Sequence, residues 1–274
     1  MGVYFQSNRG AGMRNIILLV MMAILACPLW ASDLLREARV TSEIKEALLV
    51  GDPVSLNDGS NDFLAIYAQE TTRTSQGAAI ILHGRGANPD WMEVIHPLRS
   101  QLPDYGWKTL SLQMPIAAAD ASDANYAALV PEAAPRINAA VQYLKQQGVT
   151  NIVLIGHSLG AVMGTAYLAQ GVPEELKAFV AVGLPAGRDV TDSGPLAGLA
   201  KLKLPILDIY GSRDIEPVLN SVSARSAAAK RADNNAYRQS EIEGADHFFT
   251  GLDETLVAHV RAWIGRVAPG EEVK

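Results

Sequence analysis

Ser158 lies in Gly156-His157-Ser158-Leu159-Gly160, a serine with a glycine two residues to either side. A serine hydroxyl is a weak nucleophile and needs a base, which in turn needs an acid to orient it. Downstream stand an aspartate in Gly211-Ser212-Arg213-Asp214 and a histidine in Gly244-Ala245-Asp246-His247-Phe248. Attack of such a serine on a carbonyl passes through a tetrahedral oxyanion, which two backbone N–H groups aimed at the oxygen would stabilise. The chemistry therefore asks for Ser158, an acid, a base and a pair of free N–H groups in one place.

The elements that must position Ser158 are legible on both sides of it. Ile152-Val153-Leu154-Ile155 is a short continuous apolar run, the mark of a buried parallel strand. Ala161, Val162, Met163, Ala166, Tyr167 and Leu168 form a longer apolar run, read as a buried helix. Between them the chain reverses within a few residues, leaving no room for side chains where Gly156 and Gly160 stand. Such a turn holds the hydroxyl beside the first N–H groups of the helix. With a strand before and a helix after, G-x-S-x-G reads as a nucleophile elbow rather than a chance match in a glycine-rich turn. One oxyanion donor is then the N–H of Leu159. The second is expected from the loop after the Ala78–Leu82 strand, most simply Arg85 in His83-Gly84-Arg85-Gly86, with Gly86 the next candidate.

The rest of the chain alternates strands with helices. Two strands, around Val54 and from Phe63 to Tyr67, flank Asn57-Asp58-Gly59 and read as an antiparallel hairpin at a sheet edge. Ser42 to Val50 is a short apolar-periodic stretch ahead of them. The Ala78–Leu82 strand is followed by Trp91, Val94, Ile95 and Leu98 at helical spacing, then by a strand from Lys108 to Met114. The glycines after Leu82 lack the third member of a dinucleotide-binding loop. Ile137, Ala140, Val141 and Leu144 mark a helix with Gly148 at its end. Ala178–Val182 and Pro205–Tyr210 are further strands, separated by about twenty residues of loop and short helix. An alanine-rich helix is expected from Pro217 to Arg231, a last strand from Tyr237 to Ile242, and an amphipathic helix through Leu256, Val260, Trp263 and Ile264. This pattern predicts a mostly parallel sheet of about eight strands with helices on both faces, in one domain over residues 35–268.

Groups that do chemistry in open α/β sheets gather beyond the C-terminal ends of the strands. His247 follows the last strand and is favoured as the base. His83, at a strand end before a glycine, reads as a loop tie, and His157, the variable residue of the elbow, as pointing away from the serine. His96 and His259 fall within predicted helices. For the acid, Asp214 at a strand end is preferred to Glu216 two residues on and to Asp208 inside an apolar strand. Asp246 would have to turn back on its neighbour, so a turn hydrogen bond suits it better. The order Ser158, Asp214, His247 is the order expected of a triad on this architecture.

The whole chain has 274 residues, 49% hydrophobic and 19% charged, with a net charge of -6. That is a globular composition, and the absence of basic runs argues against nucleic acid or anionic membrane surfaces as partners. Residues 1–12 are read as an engineered leader, since Tyr4-Phe5-Gln6-Ser7-Asn8 resembles the remnant of a protease site. Arg14 and the apolar Ile16–Ala26 then form a secretory signal over residues 13–31, cleaved after Ala31. A lipoprotein signal is the second reading, with Ile24-Leu25-Ala26-Cys27 as lipobox, membrane attachment only through Cys27, and an uncleaved anchor the third. The expected location is thus periplasmic or secreted. Cys27 is the single cysteine, so the mature domain holds no disulfide, no cysteine nucleophile and no cysteine-rich metal site. No metal ligand set and no cofactor are expected, and the oligomeric state is left open.

With these segments in hand, the chain resembles the α/β-hydrolase superfamily over essentially the whole mature length. His83-Gly84-Arg85-Gly86 through Leu98-Arg99, with Gly106-Trp107 and Pro115, is similar to a family of exported bacterial proteins of that fold whose substrate is unassigned. The resemblance implies an α/β-hydrolase fold, a Ser158–Asp214–His247 triad, and Leu159 and Arg85 as oxyanion donors. Many lipases carry a lid domain where this chain has only the short Leu184–Leu204 segment, so no large lid is expected. The function implied is hydrolysis of small-molecule carboxylic esters. Thioesterase, amidase and acyltransferase use the same constellation, and a non-catalytic exported binding protein of the same fold is the reading from a different class.

Overall fold

The computed structural model of the protein describes residues 1–3, 32–187 and 194–270. The elements are, in order, α1 (Leu34–Ala47), β1 (Asp52–Asn57), β2 (Asp62–Ala68), β3 (Gly77–Leu82), α2 (Ile95–Gln101) and β4 (Trp107–Leu112). There follow α3 (Asp123–Leu129), α4 (Ala133–Gln146), β5 (Ile152–His157), α5 (Leu159–Leu168), β6 (Leu176–Val182) and α6 (Pro195–Leu199). The chain ends with β7 (Ile206–Arg213), α7 (Glu216–Leu219), α8 (Val222–Arg231), β8 (Tyr237–Asp246) and α9 (Asp253–Val267). Single 3₁₀ turns at Leu102–Tyr105 and Val130–Glu132 join α2 to β4 and α3 to α4. The signal segment read over residues 13–31, with Cys27, lies outside the described residues. Among the described residues no helix is long and apolar enough to cross a membrane.

The strands form one eight-stranded sheet in the order β1-β2-β4-β3-β5-β6-β7-β8. β1 and β2 are the expected antiparallel edge hairpin, and β2 also pairs antiparallel with β4. From β4 onward every neighbour is parallel. Parallel strands are covered on both faces by their crossover helices, which is why β3 and β5 are buried along their whole length. Alternate residues divide between two cores. Ala78, Ile80 and Leu82 join Leu154, Phe179 and the Ile137, Val141 and Leu144 stripe of α4. Ala79 and Ile81 join Val153, Ile155, Val180 and the Leu256, Val260 and Trp263 stripe of α9.

The apolar-periodic stretch from Ser42 to Val50 overlaps the end of a longer helix, α1, which runs Leu34–Ala47, and α3 has no counterpart in the sequence reading. Three further elements differ from their sequence reading for local reasons. Trp91 and Val94 are not helical: α2 starts at Ile95, after Val94 at φ 60°. The apolar spacing persists because a turn carries Trp91 onto the same core as Leu98. The expected Pro217–Arg231 helix is two helices. Ser221 Oγ donates to the carbonyls of Pro217 (2.6 Å) and Val218 (3.0 Å), and Arg225 also donates to Val218 (2.7 Å). Side chains thus take carbonyls at the end of α7, and α8 restarts at Val222. β8 runs four residues past Ile242, to Asp246, across a register shift at Gly211–Arg213. A Cβ on Gly211 would stand 2.6 Å from the carbonyl carbon of Ala245, so only glycine lets the strands approach there.

Candidate active site

β5 delivers Ser158 onto a turn at φ 53°, a backbone conformation that disfavours a Cβ by about 1–3 kcal/mol and persists only where its surroundings enforce it. Here the enforcement comes from both sides. Ser158 N–H donates to the Val182 carbonyl (2.9 Å), and its own carbonyl accepts the first bonds of α5, from Ala161 (2.9 Å) and Val162 (3.2 Å). The two glycines are there because nothing larger fits. A Cβ on Gly156 would lie 2.6 Å from the Gly160 carbonyl oxygen, and one on Gly160 would lie 2.6 Å from that of His83.

β7 delivers Asp214 and β8 delivers His247. Asp214 follows the β7 bulge, with its carboxylate buried and accepting from the N–H of Ile215 (2.7 Å) and of Gly211 (3.4 Å). His247 stands one residue past β8. Its Nδ1–H donates to Asp214 Oδ1 (2.6 Å), and its Nε2 accepts from the Ser158 hydroxyl (2.9 Å). The orienting contact fixes the tautomer, leaving Nε2 free to take the hydroxyl proton. The structure therefore brings Ser158, His247 and Asp214 into one hydrogen-bonded chain. Glu216 does not join it: it is exposed at the start of α7. Asp208 is committed elsewhere, to Arg225 (2.7 Å), Tyr237 and Gln239 (3.0 Å). Asp246 accepts from the N–H groups of Phe248 and Thr250, both at 3.0 Å, in a turn.

The loop after β3 abuts the serine. A Cβ on Gly84 would lie 3.1 Å from Ser158 Cβ, so the Gly84-Arg85-Gly86 backbone runs beside Ser158. Leu159 is the first residue of α5, and its N–H has no intrahelical acceptor. No hydrogen bond to a described residue occupies the N–H of Arg85 or of Gly86. The Arg85 side chain leaves the loop along the surface, donating to Asp123 (2.6 Å) and the Ala121 carbonyl (3.3 Å) above the ring of Tyr126. His83 ties the loop from beneath. Its Nδ1–H donates to the Gly84 carbonyl (2.9 Å) and its Nε2 accepts from the Met114 N–H (3.0 Å). Burial pushes its pKa down to about 4, which keeps the ring neutral and able to do both.

His157 carries more than its sequence reading suggested, and Gly183 lies at the site with no sequence reading at all. His157 is turned onto the base: its Nε2–H donates to the His247 carbonyl (3.0 Å), with the two rings 5.0 Å apart. Gly183, just past β6 at φ 57°, lies against the same imidazole. A Cβ there would stand 3.1 Å from His247 Nδ1 and Cε1. His96 bonds Asp90 (2.8 Å) and His259 bonds the carbonyl of Thr255 (2.9 Å), both away from this cluster.

A family model described as a protein of unknown function (DUF3530) matches residues 33–135 and 117–266, most of the chain. The chain belongs to that family. No curated protein matches it. Solved structures similar to this family member include Est1E from Butyrivibrio proteoclasticus, at 18% identity and TM-score 0.60, covering 78% of this chain and 98% of that one. The Pyrococcus furiosus esterase Pf2001 is 17% identical with TM-score 0.64, covering 82% and 95%. XC6422 from Xanthomonas campestris, described as an α/β serine hydrolase without lid, is 15% identical with TM-score 0.58, covering 81% and 97%. At such identities the likeness is one of fold. The fold is that of the α/β hydrolases.

Proposed function

We propose that this protein is a serine hydrolase that cleaves small-molecule carboxylic esters through an acyl-enzyme. The observation that carries the reading is the continuous hydrogen-bonded chain from Asp214 through His247 to Ser158. Ser158 Oγ attacks the ester carbonyl as its proton passes to His247 Nε2. Asp214 stabilises the imidazolium, and the N–H groups of Leu159 and of Arg85 or Gly86 meet the oxyanion. The intermediate collapses as His247 gives its proton to the departing alkoxide. Water then enters, loses a proton to His247 and attacks the acyl carbonyl, and the proton returns to Ser158 as the acid leaves.

The surroundings suit a small ester. Phe248 and Ile215, which follow His247 and Asp214 in the chain, are exposed apolar side chains, and the Phe248 ring packs against that of His247. The short Leu184–Leu204 connection supports an open site rather than one that waits for an interface. Est1E, one of the similar structures, has also been solved with ferulic acid bound. A binding protein that had kept only the fold would have no need of all three groups in hydrogen-bond contact.

Labelling with a fluorophosphonate probe tests the proposal. The expected result is a single adduct on Ser158, absent from Ser158→Ala, which should also lose about 10⁴-fold or more in ester turnover while melting normally. A folded Ser158→Ala with wild-type turnover would overturn it.

A further inference from the structure

We propose that His157 is a positioning residue, which holds the main chain of His247 so that its imidazole spans Ser158 and Asp214, on a seat completed by the bare Cα of Gly183. The inference rests on the hydrolase reading above.

The topology creates the need for such a residue. Ser158 follows β5 and His247 follows β8, with β6 and β7 between them in the sheet, so the strand of the nucleophile and the strand of the base do not pair directly. Residue 247 also lies beyond the last paired residue of its strand, on the turn that Asp246 closes. His157 spans that gap with one side chain. It is the last residue of β5, adjacent to the nucleophile, and its Nε2–H meets the His247 carbonyl at 3.0 Å. The strand that carries the serine thus also fixes the main chain of the base.

The chemistry of His157 suits a donor and nothing else. It is buried, and desolvation, with the neighbouring His247 adding to it, pushes its pKa down to about 4. A neutral ring places no second positive charge beside the imidazolium that His247 becomes. Its Nδ1 has no hydrogen-bond partner among the described residues, where the bond to His247 is the polar contact this side chain makes. Phe248 packs its ring against both histidines, 5.8 Å and 5.3 Å between centroids.

Gly183 bears on the ring itself. Its N–H is held by the Ile209 carbonyl (2.8 Å), which anchors it to β7. An added methyl would crowd both ring atoms at 3.1 Å and Asp214 Oδ2 at 3.4 Å. The absent side chain leaves the imidazole its place.

Steady-state hydrolysis of p-nitrophenyl butyrate, well below the melting temperature, separates a seat for His247 from a general structural role. His157→Leu removes the donor, His157→Gln keeps an amide donor near Nε2, and Gly183→Ala crowds the ring. His157→Leu and Gly183→Ala should lose about 10–100-fold in kcat with KM within about twofold, as misplacement of a catalytic group by a fraction of an ångström does. His157→Gln should recover most of that loss. The far-downfield proton resonance of His247 Nδ1–H, read without substrate, should weaken in His157→Leu and persist in His157→Gln. If His157→Leu does not fold, His157→Asn replaces it, its shorter amide falling short of the carbonyl. Folded donor-less and Gly183→Ala variants with wild-type kcat and an unchanged resonance would overturn the proposal, as would equal losses in His157→Gln and His157→Leu. Ser158→Ala separates the two claims. If it keeps wild-type turnover the hydrolase reading falls, while the resonance still reads the seat. If it is inactive and the His157 and Gly183 variants are unimpaired, the seat alone falls.

Discussion

A Cβ on Gly160 would stand 2.6 Å from the carbonyl oxygen of His83, and closer still to that of Leu82. The first turn of α5 therefore lies directly on the end of β3, and the approach that exposes Ser158 is the approach that brings the His83–Gly86 loop beside it. Both contacts are with backbone, which cannot swing aside as a long side chain can. Gly160→Ala should destabilise the protein by about 1–3 kcal/mol, the scale of overpacking a close-packed site. It should also lower ester turnover, because the helix can relieve the clash only by carrying Ser158 away from the loop. Calorimetry and p-nitrophenyl butyrate hydrolysis check this together. A Gly160→Ala protein that melts and turns over like wild type would show that the elbow is looser than its geometry.

Two of the buried histidines around the site, His83 and His157, make acid stability a second test. Burial holds His83 and His157 at about 4, whereas in the unfolded chain each titrates near 6.5. Their folded pKa is depressed, so the unfolded state binds the extra protons as pH falls. The stability their neutral forms carry is complete above about pH 6.5 and is lost progressively down to about pH 4, roughly 3 kcal/mol for each ring. The melting temperature should decline across that window, and the Cε1–H resonances of both rings should stay unprotonated in the folded protein at pH 5.5. Two resonances titrating near 6.5 in the native state would contradict it.

The contrast between these residues and Ser158 explains what could be read from the sequence. The elbow is local: strand, five residues and helix are contiguous, and two glycines announce a turn that excludes side chains. Parallel strands read well for the same reason, as the unbroken apolar runs at Ile80–Leu82 and Ile152–Ile155. The roles of His157 and Gly183 are long-range. Each depends on His247, which arrives some sixty or more residues later, across two intervening strands from His157 and one from Gly183, and neither spacing nor residue type encodes that meeting. A glycine immediately past a strand, as at Gly183, was the one available signal. The break between α7 and α8 was hidden similarly, since it depends on how Ser221 and Arg225 bond carbonyls rather than on a proline or glycine.

Export supplies a third prediction. The segment over residues 13–31 has a charged start, a short apolar stretch and a small residue, Ala31, at the expected cleavage point, with Leu29 where a smaller residue is usual. The expected mature form begins near Ser32, just ahead of Asp33, whose side chain caps α1 by accepting from the Arg36 N–H at 3.0 Å. Intact mass of protein expressed from Met13 in a bacterial host checks the cleavage site. A diacylglycerol-modified Cys27 would establish the lipoprotein reading instead.

Arg85 separates backbone from side-chain chemistry. Its guanidinium is engaged with Asp123, and both partners are well exposed, at 49% and 94% of the side-chain surface. Exposed ion pairs of this kind contribute little, so Arg85→Ala should keep turnover within about threefold of wild type. Arg85→Pro removes the N–H that the oxyanion would meet, and should lower kcat by about 10²–10³, the scale of one lost donor. Proline can also distort the loop, so the comparison holds when both variants melt alike and still label with the fluorophosphonate probe. Equal damage from alanine and proline would move the function to the guanidinium and its grip on Asp123. If neither variant is impaired, Gly86, whose N–H is likewise without a described acceptor, becomes the second donor.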